Sequence, residues 1–304
     1  MKQVHQTIVC NVLVIGSGGA GHRAAIAARK AGKEVIMLGK RLRRDAHTVL
    51  AAGGINAALA NRDPEDSWQQ HFSDTIQEGY FLSDPTTVEI LTREAPTAIQ
   101  ELANWGCPFA RTKDGKIDQR FFGAHKYRRT CYAGDYTGRA VLQTLADQAE
   151  TLDIPMHEHK YVSILLVKDG VCFGAMAFDL RSGDRTVYQA DAVVLAAGGH
   201  TRIFRKSSSR RDENKGEGIF LALKAECELA DMEMVEENKI KQKVVSIDFS
   251  QGKMGILFHD TGVLPKPSFR GDDRHFVFSA VDSSQSQFML LESKLASDNI
   301  SLEN

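Results

Sequence analysis

One histidine, His47, stands in the stretch RRDAHTVLAAGGINAALA among small and apolar residues, shortly before the pair Gly53 and Gly54. The surrounding composition gives its imidazole neither a core nor a surface role, so its purpose depends on what precedes it. Upstream lies GSGGAG, made of Gly16, Ser17, Gly18, Gly19, Ala20 and Gly21. Glycines at this spacing suit a turn that holds a pyrophosphate. The first allows the tight turn, the second lets a phosphate approach the main chain, and the third lets the following helix pack on the preceding strand.

These residues need elements to position them. TIVCNVLVI, from Thr7 to Ile15, is a β-branched apolar run suited to a strand buried on both faces of a parallel sheet. HRAAIAARKAG after the glycines predicts a helix whose N-terminus offers free N–H groups and partial positive charge to phosphates, and EVIML from Glu34 predicts a second strand. Strand, glycine turn, helix, strand is the context that gives the glycine spacing its meaning. A dinucleotide unit usually ends its second strand on Asp or Glu to bind a ribose, and here LGKR places Gly39 and Lys40 at that point. The unit alone leaves a nicotinamide and a flavin both open.

Composition narrows the classes. The chain has 304 residues, 42% hydrophobic and 25% charged, the profile of a soluble globular protein of one large or two ordinary domains. Lys and Arg number 38 against 39 Asp and Glu, for a net charge of -1, which argues against nucleic acid as a partner. The cysteines, Cys10, Cys107, Cys131, Cys172 and Cys227, are odd in number and form no CxxC pair, which argues against a disulfide framework or a zinc site and fits a reducing compartment. The N-terminal apolar run passes into the glycine turn without a small-residue cleavage site, so no signal peptide is expected, and no run is long enough to predict a membrane span.

VLVIGSGGAGHRAAIAA, then LGKR, then AHTVLAAGGINAAL resembles the flavoprotein subunit of the succinate dehydrogenase and fumarate reductase family. DPEDSWQQHFSDTIQEG, APTAIQELANWGCPFAR, DGKIDQRFFG, RRTCYAGDYTGRAVLQTL and ADAVVLAAGG continue the resemblance in order, from about Val9 to Val235. It implies an α/β fold with a Rossmann-like FAD-binding domain of the two-part flavoprotein type over residues 1–235. It further implies FAD carried covalently by His47, through the imidazole and the 8α-methyl carbon of the flavin. L-Aspartate oxidases hold FAD non-covalently and lack this histidine, so His47 favours the dicarboxylate-reductase branch. The cofactor-binding residues then expected are Gly16, Ser17, Gly18, Gly19, Ala20, Gly21, Gly39, Lys40, Ala46, His47, Thr48, Gly53, Gly54, Val162, Gly198, Gly199 and Glu217. Val162 is placed beside the adenine, and Glu217 replaces the aspartate of the family's TGDG turn, with Lys215 in place of its threonine.

Between these motifs, DSWQQHFSDTIQEG, PTTVEILTREAPTAIQELANW and TGRAVLQTLADQAETL carry apolar residues at helical spacing, with Trp68 and Trp105 read as packing anchors. MHEHKYVSILLVKDGVCFGAMAFDLRSGDRTVYQADAVVLAAGG reads as strands joined by DG and SGD turns. His157 and His159 alternate as on a strand, without the ligand company of a metal site, and read as a polar strand edge. The basic run from Arg202 to Arg211 reads as a solvated loop. Phe122 and the Arg128-Arg129 pair fall in a segment that the resemblance places near the flavin.

The resemblance stops after DMEMV, Asp231 to Val235, where the family continues with QFHPTG, a capping domain and the residues that hold a dicarboxylate. Here EENKIKQKVVSIDFSQGKMGIL follows, so residues 236–304 are expected to be a diverged or truncated segment, partly disordered, with the capping domain missing or replaced. FHDTGVLP later in the chain echoes FHPTG, which makes His259 and Thr261 the candidate catalytic residues. The family reaction is hydride transfer between flavin and a dicarboxylate such as succinate or fumarate, with electrons passed to an iron-sulfur subunit. The expectation is a cytoplasmic chain, reaching a membrane only through partner subunits, and of doubtful activity by itself. The competing readings are a non-catalytic flavin-binding fragment and an L-aspartate-oxidase-like flavin oxidase.

Overall fold

The computed structural model describes residues 6–123, 125–204, 207, 209–230 and 232, together with the backbone of 244–248, 255–259 and 275–279. In chain order the first unit runs β1 (Gln6–Ile15), α1 (Gly19–Lys30), β2 (Val35–Leu38), β3 (Ile55–Asn56), α2 (Trp68–Glu78), α3 (Pro85–Asn104), β4 (Gln119–Arg120), β5 (Thr130–Cys131), α4 (Thr137–Thr151), β6 (Met156–His157), β7 (Lys160–Lys168), β8 (Val171–Asp179), β9 (Arg185–Leu195) and α5 (Glu217–Lys224). A second unit holds β10 (Val244–Asp248), β11 (Gly255–His259) and β12 (His275–Ser279), a three-stranded sheet in which β10 pairs antiparallel with both neighbours.

The main sheet has the order β6-β2-β1-β9-β8-β7. Its first four strands are parallel, because β1 pairs parallel with β2 and β9, and β2 with β6. β7 and β8 join as an antiparallel hairpin on the far side. The chain leaves β1 through α1 to β2 on one side and returns much later as β9 on the other. The crevice beyond the carboxyl end of β1 is therefore a topological switch point, where open α/β sheets bind ligands. Register makes this concrete: Ile15 pairs with Leu38 on one side and Leu195 on the other, so three strands end together.

The apolar run of β1 behaves as its composition demands. Leu13, Val14 and Ile15 are buried, as are all four residues of β2, and each such side chain contributes roughly 1.5–3 kcal/mol over its exposed state. One face of α1, with Gly21, His22, Ala25 and Ile26, is buried against this core. The helical stretches recognised by their spacing form α2, α3 and α4, and their ends follow from local chemistry. Ser67 caps α2 by accepting from the Gln70 N–H, and Asp84 caps α3 by accepting from Thr87, with Pro85 in the first turn where its missing N–H costs nothing.

The HEH motif departs from its reading as alternate residues on one strand. His157 ends β6 and shares a 2.8 Å hydrogen bond with the Tyr188 hydroxyl, whereas His159 lies in the turn before β7 with φ 55°. A left-handed residue reverses the chain there and takes the two imidazoles off a common face.

Candidate functional site

At the shared end of β1, β2 and β9 lies a cavity of about 380 Å3, within the range of small-molecule sites. Main chain builds its floor. Gly16 has φ 119°, and a Cβ there would strike the Ala196 carbonyl; a Cβ on Gly21 would strike the carbonyl of Gly16. Only glycine lets β1, β9 and α1 converge this closely. Helix α1 has Gly18 as its N-cap and no side-chain cap, so its N-terminus meets the cavity with orphan donors. One of them, the Gly19 N–H, donates to Thr48 Oγ1 at 3.0 Å, which ties the turn to the segment bearing His47.

His47 opens a 3-10 turn, His47–Leu50, and its ring lines the cavity. Its Nδ1 is buried without a hydrogen-bond partner among the described residues, 3.8 Å from Glu213 Oε2. Helix α4 holds this turn from behind: the Gly138 N–H donates to the Ala51 carbonyl at 2.7 Å, and a Cβ on Gly138 would strike the Thr48 carbonyl. Sequence reasoning did not single out Gly138. The available signal was a glycine inside a stretch otherwise rich in helix formers, where it lowers helix stability unless something must come close.

Charges ring the mouth. Lys40 Nζ lies 2.7 Å from Glu217 Oε1, and both side chains line the cavity. Burial works against ionisation of Glu217, but the hydrogen bond and charge of Lys40, with the backbone N–H groups of Glu217 and Lys215, hold its carboxyl below the usual range. Arg41 pairs with Asp45 and Asp212, both at 2.6 Å. Arg210 pairs with Asp45 at 2.9 Å and with Glu213 at 3.3 Å. Burial opposes ionisation of Asp45 as well, and its two arginine partners outweigh it, so its pKa is lowered. The basic run was read as a solvated loop, but its Arg210 is three-quarters buried in these ion pairs.

Of the expected cofactor residues, Gly16, Ser17, Gly18, Gly19, Ala20, Lys40, Ala46, His47, Thr48, Val162, Gly198 and Glu217 line this one cavity. Gly21, Gly39, Gly53, Gly54 and Gly199 do not line it. Gly39 lies under it, within 2.8 Å of Ser17 Oγ for a Cβ placed there, and Gly53 packs beneath the Phe122 ring. Gly54, with φ 135°, lets β3 approach Thr130 and Cys131 of β5. Arg120, also not foreseen, donates to the Gly53 carbonyl at 2.8 Å.

Arg128 and Arg129 are committed elsewhere. Arg128 pairs with Asp63, and Arg129, fully buried, pairs with Asp66 at 2.7 Å and Asp74 at 2.8 Å. His259 is the last residue of β11, described by backbone alone, and Thr261 lies outside the described residues. Among the described residues no group of three or more His, Cys, Asp or Glu could hold a metal ion, and no helix is long and apolar enough to cross a membrane.

The sequence matches the FAD binding domain family over residues 11–237. It is 38% identical over 261 residues to one chain of the CoM/CoB fumarate reductase of Methanothermobacter marburgensis, covering 83% of this chain and 48% of that protein. To the succinate dehydrogenase flavoprotein subunit of Rickettsia conorii it is 38% identical over 234 residues, covering 74% of this chain and 39% of that one. Among solved structures, the Mycobacterium smegmatis Sdh1 complex in the apo form superposes with a TM-score of 0.71 at 39% identity, over 72% of this chain and 39% of that chain. The chain thus spans less than half the length of these relatives.

Proposed function

Since the chain belongs to the FAD binding domain family, among the flavoproteins of succinate dehydrogenases and fumarate reductases, we propose that its cavity holds FAD and that His47 carries it covalently. The observation that carries this reading is a single cavity, at the switch point of the sheet, lined by both the glycine turn and His47. The residues fit the cofactor. The uncapped start of α1 and the close main chain at Gly16 and Gly18 suit a pyrophosphate, and Val162, buried at the start of the hairpin, suits an adenine face. The imidazole of His47 lines the same cavity as the glycine turn, and its buried Nδ1 has no hydrogen-bond partner among the described residues.

When bound, FAD supplies two-electron transfer as hydride. The chain's own residues bind and orient it: Thr48 fixes the glycine turn against the His47 segment, while Lys40 and Glu217 close one side of the mouth. The activity belongs, on this reading, to an FAD-dependent oxidoreductase acting on a dicarboxylate such as succinate or fumarate, with an iron-sulfur protein as its electron partner. The names of the relatives, fumarate reductase and succinate dehydrogenase, support the substrate class. The echo of FHPTG in FHDTG makes His259 and Thr261 the sequence candidates for substrate contact.

His47→Ser is the test of attachment. The wild-type chain keeps its flavin absorbance in the acid-precipitated pellet, and the variant releases it to the supernatant; covalent flavin retained in the variant refutes the assignment. For the substrate residues, His259→Ala abolishes fumarate reduction with flavin content unchanged, and equal activity in the variant removes that role.

A further inference from the structure

His47 has a neighbour whose position the family motifs do not explain. Glu213 comes from the loop before α5, and its side chain, 10% exposed, lines the same cavity. Its Oε2 is the carboxylate oxygen 3.8 Å from the buried Nδ1 of His47. The same oxygen receives Arg210 at 3.3 Å, and Arg210 donates in addition to the backbone and side-chain oxygens of Asp45, two residues ahead of His47, at 3.0 and 2.9 Å. Arg41 holds Asp45 in turn at 2.6 Å. One arginine therefore fastens the carboxylate and the histidine-bearing segment to each other across a long stretch of chain.

We propose that Glu213 is a positioning residue for His47, its carboxylate keeping the ring proton on Nδ1 so that Nε2 presents its lone pair to the cavity. The proposal rests on the reading of His47 as the attachment residue. Which imidazole nitrogen carries the proton is set by the group that faces the other, and a carboxylate accepts only from an N–H. At 3.8 Å the pair is short of a hydrogen bond, and a side-chain rotation that closes about 1 Å makes one. Arg210, already bonded to the same oxygen, holds the carboxylate in place.

The chemistry gives the carboxylate a reason. Attachment exchanges a C–H bond of the 8α-methyl group for a C–N bond to the imidazole. One proton leaves the methyl carbon, one leaves the imidazole, and the two electrons released reduce the flavin ring, so no outside oxidant is required. Nε2 can form the new bond only while its lone pair is free, and the ring becomes cationic until the Nδ1 proton departs. A carboxylate beside Nδ1 meets both needs.

The experiment compares the wild-type full chain with Glu213→Gln and Glu213→Asp. Each is incubated with FAD, and total bound flavin and acid-stable flavin are followed with time. The expected result is that the acid-stable fraction of the bound flavin forms about tenfold more slowly in Glu213→Gln than in the wild type, with partial recovery in Glu213→Asp. Attachment at the wild-type rate in Glu213→Gln overturns the role. Histidine 15N shifts of the flavin-free chain give a second readout, which also serves if a variant fails to fold. His47 in the wild type is expected as the Nδ1–H tautomer, and an Nε2–H tautomer there overturns the proposal. A wild-type chain that binds flavin only reversibly defeats the attachment reading instead, while the tautomer still decides for or against Glu213.

Discussion

The cavity at the end of β1 and the buried cluster around Arg129 solve opposite problems in one unit. At the cavity, main chain does the construction. Glycines bring strands and helix together, the donors of α1 are left largely free, and charged side chains stay at the mouth. Around Arg129 the side chains do it: a fully buried guanidinium is shared by Asp66 and Asp74, with His71 and His125 packed edge to face, ring centroids 6.2 Å apart, and Asn56 2.7 Å from the His125 ring. Burial pushes the Asp66 carboxyl up despite Arg129, and burial with the Arg129 charge takes His71 down to about 4. The clamp sets its charges against one another in the interior, with Arg129 Nη1, His71 Nδ1 and His125 Nδ1 left without a hydrogen-bond partner among the described residues, and a clamp in low dielectric is costly to leave half made.

That contrast can be broken from the clamp side first. Arg129→Ala leaves two buried carboxylates without their counter-charge and is expected to cost about 3–5 kcal/mol, read as a lowered denaturant midpoint. A change under about 1 kcal/mol, within the range of an exposed pair, would show that the cluster is no clamp. Acid is the next lever. The His71 pKa is lower in the folded chain than the ordinary 6.5, so between about 6.5 and 4 the unfolded state binds the extra proton. The stability His71 contributes is complete above pH 6.5 and is lost as pH falls towards 4, by roughly 3 kcal/mol over the window. His71→Gln should flatten that part of the profile, and an unchanged slope would place the acid sensitivity elsewhere. The smallest expected effect is at the cavity: Gly21→Ala forces a methyl group against the Gly16 carbonyl, at about 1–3 kcal/mol. Its distinctive sign is a flavin affinity that falls further than the stability does, and an unaltered affinity would mean that the glycine turn is only packing.

The two regions also differ in how plainly the sequence announced them. Gly16 to Gly21, the strands around them and helices α2, α3 and α4 were legible, because each rests on contacts local in the chain: a turn, a period, a cap. His47 was legible through its motif. Glu213, Gly138 and Arg120 were not, since each takes its role from a contact with a segment far away in the chain. Arg129 was noticed but assigned to the neighbourhood of the flavin. Its partners, Asp66 just ahead of α2 and Asp74 within it, lie on an earlier segment, and no local pattern links them. The basic run ending at Arg211 failed for the same reason, as charge alone does not disclose that Arg210 meets Asp45. Backbone-built sites leave a signature in composition and spacing; side-chain networks leave one only once the fold has brought their members together.

The central claim, that this main-chain cradle holds FAD, is tested most directly by titrating the full chain, prepared free of flavin, with FAD and following the visible flavin spectrum. The account predicts a perturbed spectrum that saturates at equimolar flavin, in the wild type and in His47→Ser alike, because the cradle is made without the imidazole. A flavin spectrum identical to that of free FAD throughout the titration of the wild-type chain would contradict it.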